Sequence, residues 1–258
     1  MTEVIQVRNL TKRFKLSPKQ QRLEKSKEKV KVAISGLTFS VYEGEIFGLL
    51  GPNGAGKTTT LRILSTLMKP DGGDALLRGV SVVRHAGEVR GKIGFLTSEL
   101  KLEEFFTPNY LFDFFSALHK VDVQTKERRK QELFGQFGIT SFAEVKVANL
   151  STGMKQKVSL AVSLAHDPDV IIFDEPTNGL DVLTAKIVTD FLIDLKNRGK
   201  TVVVSTHIFS LIEKICDRVG IIIEGEMVAC DSLDAIRQGR PLEDVFFDIY
   251  AETVGDEG

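Results

Sequence analysis

The feature that most constrains the fold is a glycine-rich segment, GPNGAGKT, at residues 51–58. The apolar run 46–50 leads into it and a helical pattern leads out of it, so the segment joins a strand to a helix. Its three glycines allow successive backbone N–H groups to converge on one point, because a side chain there would block close approach. The first turn of the following helix adds unpaired N–H groups and a positive dipole end. The segment therefore predicts a loop that binds phosphate.

Two side chains of this loop suit a nucleoside triphosphate. Lys57 supplies a full positive charge to the β- and γ-phosphates, and the Thr58 hydroxyl is a ligand for Mg²⁺. The predicted ATP-binding residues are Gly51, Pro52, Asn53, Gly54, Ala55, Gly56, Lys57, Thr58 and Thr59. Lys57 belongs to the predicted catalytic set as well.

A pair of acids follows the apolar run 170–173. A buried strand that delivers acids at its carboxyl end places them beside the phosphate loop of a neighbouring parallel strand. Asp174 is predicted to help hold Mg²⁺, and Glu175 to act as general base on the attacking water. Together with the phosphate loop, the pair predicts a phosphoryl-transfer site.

The remaining apolar runs indicate the fold class. The runs 170–173, 201–204 and 219–223 are continuous rather than alternating, as expected of strands that are apolar on both faces inside a parallel sheet covered by helices. Short strand patterns at 4–7 and 38–41 lie outside this set. We predict an α/β fold of the P-loop NTPase type, with a mostly parallel core sheet.

From about residue 107 to 140 the strand pattern disappears. Leu111, Phe114, Phe115 and Leu118 recur at helical spacing and are expected to pack in a core. Phe112 lies off this stripe and is a candidate to face a partner. The region predicts a helical subdomain.

Composition limits the function classes. A chain of 258 residues forms one large domain, with or without a small inserted subdomain. The net charge of -1 gives no reason to expect a nucleic-acid partner. Cys216 and Cys230 are expected to be reduced, and neither a signal peptide nor an apolar span of about 20 residues is apparent. The expected location is cytoplasmic, unless a partner holds the chain at a membrane.

Segment 17–31 has six Lys/Arg residues against two Glu. It has too few apolar residues to fill a core, so we expect a solvated hairpin extension or a mobile loop. Contact with lipid headgroups or with a partner is the alternative.

Further motifs resemble the nucleotide-binding subunits of ABC transporters over nearly the whole chain. The run 150–154, LSTGM, stands where that family carries its LSGGQ signature, about 20 residues before the acid pair. The run 175–181, EPTNGLD, is similar to the Walker B extension and D-loop, and Thr206-His207 to the switch histidine. Phe14 resembles the aromatic residue that stacks on adenine.

The resemblance implies a fold, a mechanism and partners. It implies a single ABC ATPase domain over 1–258, with a RecA-like and antiparallel β lobe at about 1–97 and 168–240. An inserted helical subdomain is then expected at about 100–167, and a short C-terminal helix at about 241–250.

It also implies that each ATP is bound between two chains. Ser151, Thr152 and Gly153 would contact the γ-phosphate held by a second copy or by a homologous ATPase subunit, and Asp181 would form the D-loop. His207 would join Glu175 and Lys57 in catalysis. ATP and Mg²⁺ are the implied cofactors, and transmembrane permease subunits the implied partners, which would hold the chain at the cytoplasmic face of the membrane.

Two departures from the family pattern point to a branch. Thr97-Ser98-Glu99 stands where a metal-sensing Gln is usual, and Ser98 is the candidate replacement ligand. The signature has Thr152 for Gly, a costly exchange if a positive φ is required there, and Met154 for Gln. These features are similar to sodium-extrusion and drug- or polysaccharide-export ATPases.

Two alternative functions remain open. One is a soluble ABC ATPase that acts as an assembly or scaffold factor without a channel. The other is a P-loop kinase or GTPase outside the family, which would leave the run 150–154 and His207 unexplained. The transported substrate is not encoded here, because substrate contacts in this architecture lie in the membrane subunits.

Overall fold

The computed structural model describes residues 2–23, 28–97 and 102–255. Its strands are β1 (Glu3–Lys15), β2 (Val30–Tyr42), β3 (Ile46–Leu50), β4 (Gly72–Leu77), β5 (Val80–Ser81), β6 (Ile93–Thr97), β7 (Val170–Asp174), β8 (Thr201–Thr206), β9 (Arg218–Ile223) and β10 (Glu226–Ser232). Its α-helices are α1 (Pro18–Leu23), α2 (Lys57–Leu64), α3 (Ala86–Arg90), α4 (Pro108–Leu118), α5 (Val123–Phe137), α6 (Thr152–Ser163), α7 (Val182–Asn197), α8 (Phe209–Ile215), α9 (Leu233–Arg237) and α10 (Leu242–Val254).

The central sheet has the strand order β10-β9-β3-β8-β7-β6. The strands from β9 to β6 run parallel to their neighbours, and β10 lies antiparallel on the edge. Every residue of β3, β7 and β8 is buried, because helices α6, α7 and α8 cover one face of the sheet, and a second sheet together with α2 covers the other. The prediction of a mostly parallel core sheet is confirmed.

The second sheet is antiparallel, with the order β2-β1-β4-β5. Its apolar face packs on the central sheet, where the ring of Phe39 stacks on that of Phe47 at a centroid distance of 5.4 Å. The described residues 17–23 and 28–29 lie at the tip of the long hairpin of β1 and β2, since Lys15 pairs with Val30. The basic segment is therefore a hairpin extension as predicted, although the helix α1 within it was not.

Helices α4, α5 and α6 pack together as the predicted helical region. Thr107 caps α4 by accepting a hydrogen bond from the Tyr110 N–H, with Pro108 in the first turn, and Asp122 caps α5 in the same way. The division of the chain into lobes at residues 97, 100 and 167 stays a prediction. The C-terminal helix is longer than predicted and ends at Val254.

The prediction for Phe112 was wrong. Phe112 is completely buried and meets the ring of Phe134 edge-on at 5.5 Å, whereas Phe114 is 51% exposed and Leu118 is also exposed. Of the predicted stripe, Leu111 is buried and Phe115 packs against the core as expected, whereas Phe114 and Leu118 face outward. Because α4 has apolar residues on more than one face, its packing against α5 and α6 decides that Phe112 turns inward.

In the ranges described, none of the helices combines the length and the hydrophobicity that crossing a bilayer requires.

The orientation of α4 is tested by paired truncations. Phe112→Ala removes a fully buried ring and should lower the free energy of unfolding by about 3–5 kcal/mol. Phe114→Ala on the same helix removes a half-exposed ring that stacks on Tyr110 and meets Phe115 edge-on, and should cost less than about 1.5 kcal/mol. Urea denaturation followed by circular dichroism measures both. An equal loss, or a larger loss from Phe114→Ala, would contradict this packing.

Candidate active site

The phosphate loop lies between β3 and α2, and its glycines are required by the backbone. Gly54 and Gly56 have φ angles of +87° and +103°, which side chains strongly disfavour. A Cβ on Gly56 would lie 2.4 Å from the Ala33 carbonyl oxygen, and one on Gly51 would lie 2.2 Å from that of Ile222. The loop thus takes the shape that the sequence predicted, pressed against β2 and β9.

The cavity beside this loop has a volume of about 350 Å³. It is lined by Ala33, Asn53, Gly54, Gly56, Lys57, Thr58, Thr59, Glu175, Asn178 and His207. Helix α2 begins at the cavity with Gly56 as its N-cap, so no capping side chain competes for its first N–H groups. These groups and the helix dipole are available to an anion.

Lys57 is buried at the base of the loop. Its Nζ donates to the carbonyl oxygens of Gly51 at 2.7 Å and Pro52 at 3.1 Å, and lies 3.7 Å from Oε1 of Glu175. Burial lowers the pKa of Lys57, while the negative charges of Glu175 and Asp174 oppose that shift. The ammonium group is therefore held among acceptors, where phosphate oxygens would be strong alternative partners.

Asp174 ends β7 and faces the loop across β8, which lies between β7 and β3. Its Oδ1 accepts hydrogen bonds from Oγ1 of Thr58 at 3.0 Å and from Oγ of Ser205 at 2.5 Å. The predicted pair of oxygen ligands, Thr58 and Asp174, is thus brought together. Ser205, buried at the end of β8, was not predicted and fixes the carboxylate.

Glu175 occupies the left-handed region, with φ of +52°, immediately after β7. Its N–H donates to the carbonyl oxygen of Ser205 at 3.1 Å and contacts Oγ of the same residue at 3.2 Å. This strained conformation turns the side chain toward the cavity. Its Oε2 is buried and has no hydrogen-bond partner within the part of the chain that the structure describes.

His207 follows β8 and completes this cluster. Its Nδ1 lies 3.1 Å from Oε1 of Glu175, and its ring is partly exposed in the cavity. Lys57, Glu175 and His207, the predicted catalytic residues, therefore meet at one place. Their catalytic roles stay predictions.

Phe14 lies near the end of β1, where it pairs with Lys31, and is not among the residues that line the cavity. The Nζ of Lys12 lies 5.7 Å from the centre of its ring. Ala33, two residues beyond Lys31 on β2, does line the cavity. Adenine stacking on Phe14 stays a prediction.

The signature residues form the start of another helix, outside this cavity. Ser151 is the N-cap of α6, as predicted, and its Oγ accepts a hydrogen bond from the Met154 N–H at 3.3 Å. Thr152 is helical and has no positive φ, so replacing Gly there causes no backbone strain. A Cβ on Gly153 would lie 3.1 Å from Oγ1 of Thr184 and 3.6 Å from Oδ2 of Asp181.

Asp181 caps α7 beside the start of α6. Its Oδ1 accepts from the N–H groups of Leu183 and Thr184, both at 3.0 Å, and its Oδ2 from the Thr184 hydroxyl at 2.7 Å. These hydrogen bonds, chiefly those from Thr184, lower the pKa of Asp181. The two helix starts therefore lie side by side at one edge of the molecule.

Ser98, the candidate metal ligand, lies outside the described residues, as does Glu99. Asn178 and Ala33 line the cavity but were absent from the predicted site. Asn178 stands in the recognised run 175–181 and was within reach of prediction, whereas nothing in the sequence near Ala33 signals its role.

Comparisons with known proteins agree with this geometry. Residues 34–178 match the family model described as ABC transporter. The ABC transporter ATP-binding protein NatA of Bacillus subtilis is 34% identical over 229 residues, which make up 88% of this chain and 93% of NatA. The Nod factor export ATP-binding protein I of Burkholderia orbicola is 39% identical over 199 residues, which make up 77% of this chain and 66% of that protein.

One of the similar solved structures is a dimer. It is a dimeric ATP-binding cassette in a post-hydrolysis state, bound to ADP and phosphate. It superposes with a TM-score of 0.78 at 27% identity, over 89% of this chain and 98% of that one.

The role of Lys57 in phosphate binding is tested by its removal. Lys57→Ala should weaken ATP binding by about tenfold or more, because a charged hydrogen bond contributes about 1.5–3 kcal/mol. Isothermal titration calorimetry measures the change. Lys69→Ala, which removes an exposed lysine beyond the other end of α2, is the control and should bind ATP normally. Unchanged affinity in Lys57→Ala would refute the assignment of the loop.

Proposed function

The chain belongs to the ABC transporter family as an ATP-binding and ATP-hydrolysing subunit, and we propose that its cavity is one half of an ATP site completed by a second subunit. The observation that carries this proposal is the meeting of Lys57, Asp174, Glu175 and His207 at the start of α2. The phosphate loop binds the triphosphate through backbone N–H groups and through the Lys57 ammonium group. Phe14 is proposed to stack on adenine.

The residues present fit a magnesium ion. Mg²⁺ prefers oxygen ligands and is commonly bound by one or two carboxylates together with substrate phosphates and water. Oγ1 of Thr58 and Oδ1 of Asp174 are already 3.0 Å apart at the cavity. Among the described residues no group of three or more His, Cys, Asp and Glu could hold a metal ion, so the proposal relies on phosphate and water for the remaining ligands.

Thr58 and Asp174 would hold the ion, and Ser98 is proposed as a further, weaker ligand. When bound, Mg²⁺ neutralises charge on the β- and γ-phosphates. Ser205 orients Asp174 through its hydroxyl group, which keeps the carboxylate turned toward Thr58.

Glu175 is proposed as the general base. Its buried Oε2 is free of competing donors in the described part of the chain and can accept the proton of the water that attacks the γ-phosphate. Its Oε1 is held by His207, which fixes the carboxylate in position. Lys57 stabilises the negative charge on the phosphate oxygens during transfer.

The start of α6 is proposed to complete the site of a second copy or a homologous subunit. Ser151, Thr152 and Gly153 present a capped helix N-terminus away from the chain's own cavity, and such an end attracts phosphate. ATP would bind the closed dimer better than the open one, which drives closure. Hydrolysis would remove that preference and reopen the dimer.

A permease is the proposed membrane partner, and export the proposed direction. An apolar groove of about 560 Å³ lies between α4 and β6, lined in part by Leu67, Phe95 and Phe115. Exposed aromatic rings, including that of Phe105, lie on the same helical region. A surface of this kind is typical of a protein–protein contact, and a permease bound there would hold the chain at the cytoplasmic face of the membrane.

Similarity to a protein named for Nod factor export supports the direction of transport. A soluble scaffold ATPase is not favoured, because the relatives compared above are named as transporter or export subunits.

The composite site is tested by a variant that binds ATP without hydrolysing it. Glu175→Gln keeps the shape of the side chain but removes the base, which should slow hydrolysis by about 10²–10⁴-fold. It also removes one negative charge per subunit from an interface crowded with phosphates. We expect a dimer in ATP and Mg²⁺ and a monomer in their absence, measured by size-exclusion chromatography with light scattering.

Adding Ser151→Arg to that variant provides the control. Its bulk should block the start of α6 from the opposite γ-phosphate and abolish the dimer, while ATP binding by the monomer persists. A dimer that survives Ser151→Arg would contradict a contact through the signature residues.

The groove is tested by Leu67→Arg. Leu67 is exposed at its rim, so folding and basal hydrolysis should persist, whereas a charge inserted into an apolar contact should abolish association. Co-purification with the membrane subunits of its own transporter measures the effect. Val123→Arg alters an exposed apolar residue that does not line the groove and should leave association intact. Equal behaviour of the two variants would exclude the groove as the contact.

A further inference from the structure

An apolar pocket lies on the flank of the phosphate loop, next to the proposed ATP cavity, with His207 lining both. It has a volume of about 370 Å³ and is lined by Leu50, Gly51, Pro52, His207, Phe209, Phe246, Phe247 and Tyr250. Its aromatic wall joins α8 to α10, with the rings of Phe209 and Phe246 5.2 Å apart. Phe247 is 56% exposed at the mouth of this pocket.

A second apolar feature lies at the start of α7. Val182 is 84% exposed and Leu183 is 76% exposed, which is unusual for large apolar side chains next to a predicted site. The carboxylate of Asp181 holds the N–H groups of Leu183 and Thr184. The two apolar side chains are therefore presented from an ordered helix start and not from a loose loop.

The start of α7 and the aromatic pocket lie next to the two parts that the proposed composite site joins, the signature helix and the ATP cavity. The start of α7 adjoins the signature helix, because Gly153 is in contact range of Asp181 and Thr184. The pocket adjoins the ATP cavity, because His207 lines both. A dimer that brings the signature residues of one copy to the ATP cavity of another therefore brings Leu183 toward the partner's pocket.

We propose that Val182 and Leu183 of one copy insert into the aromatic pocket between the phosphate loop and α10 of a second copy. The contact is formed twice, because a two-fold symmetric interface repeats every contact. It rests on the proposed dimer, and it adds an apolar anchor beside a site otherwise made of charges. It also gives the C-terminal helix a role in recognising the partner subunit.

The test measures the dissociation constant of the ATP-bound dimer in the full-length Glu175→Gln chain, by analytical ultracentrifugation with ATP and Mg²⁺. Leu183→Asp and Phe247→Lys are each expected to raise that constant by about tenfold or more, because each places an unpaired charge in an apolar contact twice per dimer. The two substitutions combined should give a tighter dimer than either alone, since opposite charges then face each other. Leu118→Asp, which alters an exposed leucine on α4, should leave the constant unchanged.

The outcomes separate this contact from the dimer itself. Each variant should bind a fluorescent ATP analogue as a monomer with unchanged affinity, since none alters the phosphate loop. If Glu175→Gln fails to dimerise at all, the composite site is refuted and the anchor with it. If it dimerises and Leu183→Asp or Phe247→Lys dimerises as tightly, the anchor alone is refuted. The anchor is also refuted if Phe247→Lys lowers only the thermal stability of the monomer, because the pocket would then serve packing within one chain.

Discussion

The buried ammonium group of Lys57 is the constraint on which the rest of the structure depends. A charge removed from water is costly unless acceptors surround it, and here two loop carbonyl oxygens and Glu175 do so. Those acceptors come from the ends of β3 and β7, which are held in register by β8 between them. Because these strands are buried on both faces, their carboxyl ends form a fixed edge. Phosphate can then replace carbonyl oxygens around a charge that is already in place.

The same edge is why we propose that one chain carries half of a site. It holds Lys57, the proposed metal ligands and the proposed base, but the second helix N-terminus, capped by Ser151, lies outside the cavity. That end is joined to the start of α7 through Gly153 and Asp181. A partner that binds here would meet an edge that bears both polar and apolar groups. If two such edges close around ATP, the negative charge of the nucleotide would hold the two subunits together, and its loss on hydrolysis would let them separate.

The sequence alone was enough to predict those site residues whose type and spacing are set by the chemistry of phosphate and metal binding. The loop at 51–58 and the acids 174–175 were predicted because few residue types can do their work, and their spacing along the chain reflects the parallel sheet. Ser205 and Ala33 were missed because strand register, which no local pattern encodes, brings them to the site. Phe112 was misplaced because α4 is apolar on more than one face, so only tertiary packing decides its orientation.

The central claim, that two chains form each ATP site, is tested most directly by mixing two inactive variants. Lys57→Ala disables the phosphate loop and Ser151→Arg disables the signature helix, so neither alone should hydrolyse ATP. Their heterodimer retains one intact site, made of the loop of one chain and the signature of the other. Each mixed dimer has one of its two sites intact, and dimers of a single variant have none. An equimolar mixture should therefore recover about a quarter of the normal ATPase rate if the chains pair at random, and up to about half if the mixed dimer forms preferentially. A mixture as inactive as its components would contradict the account.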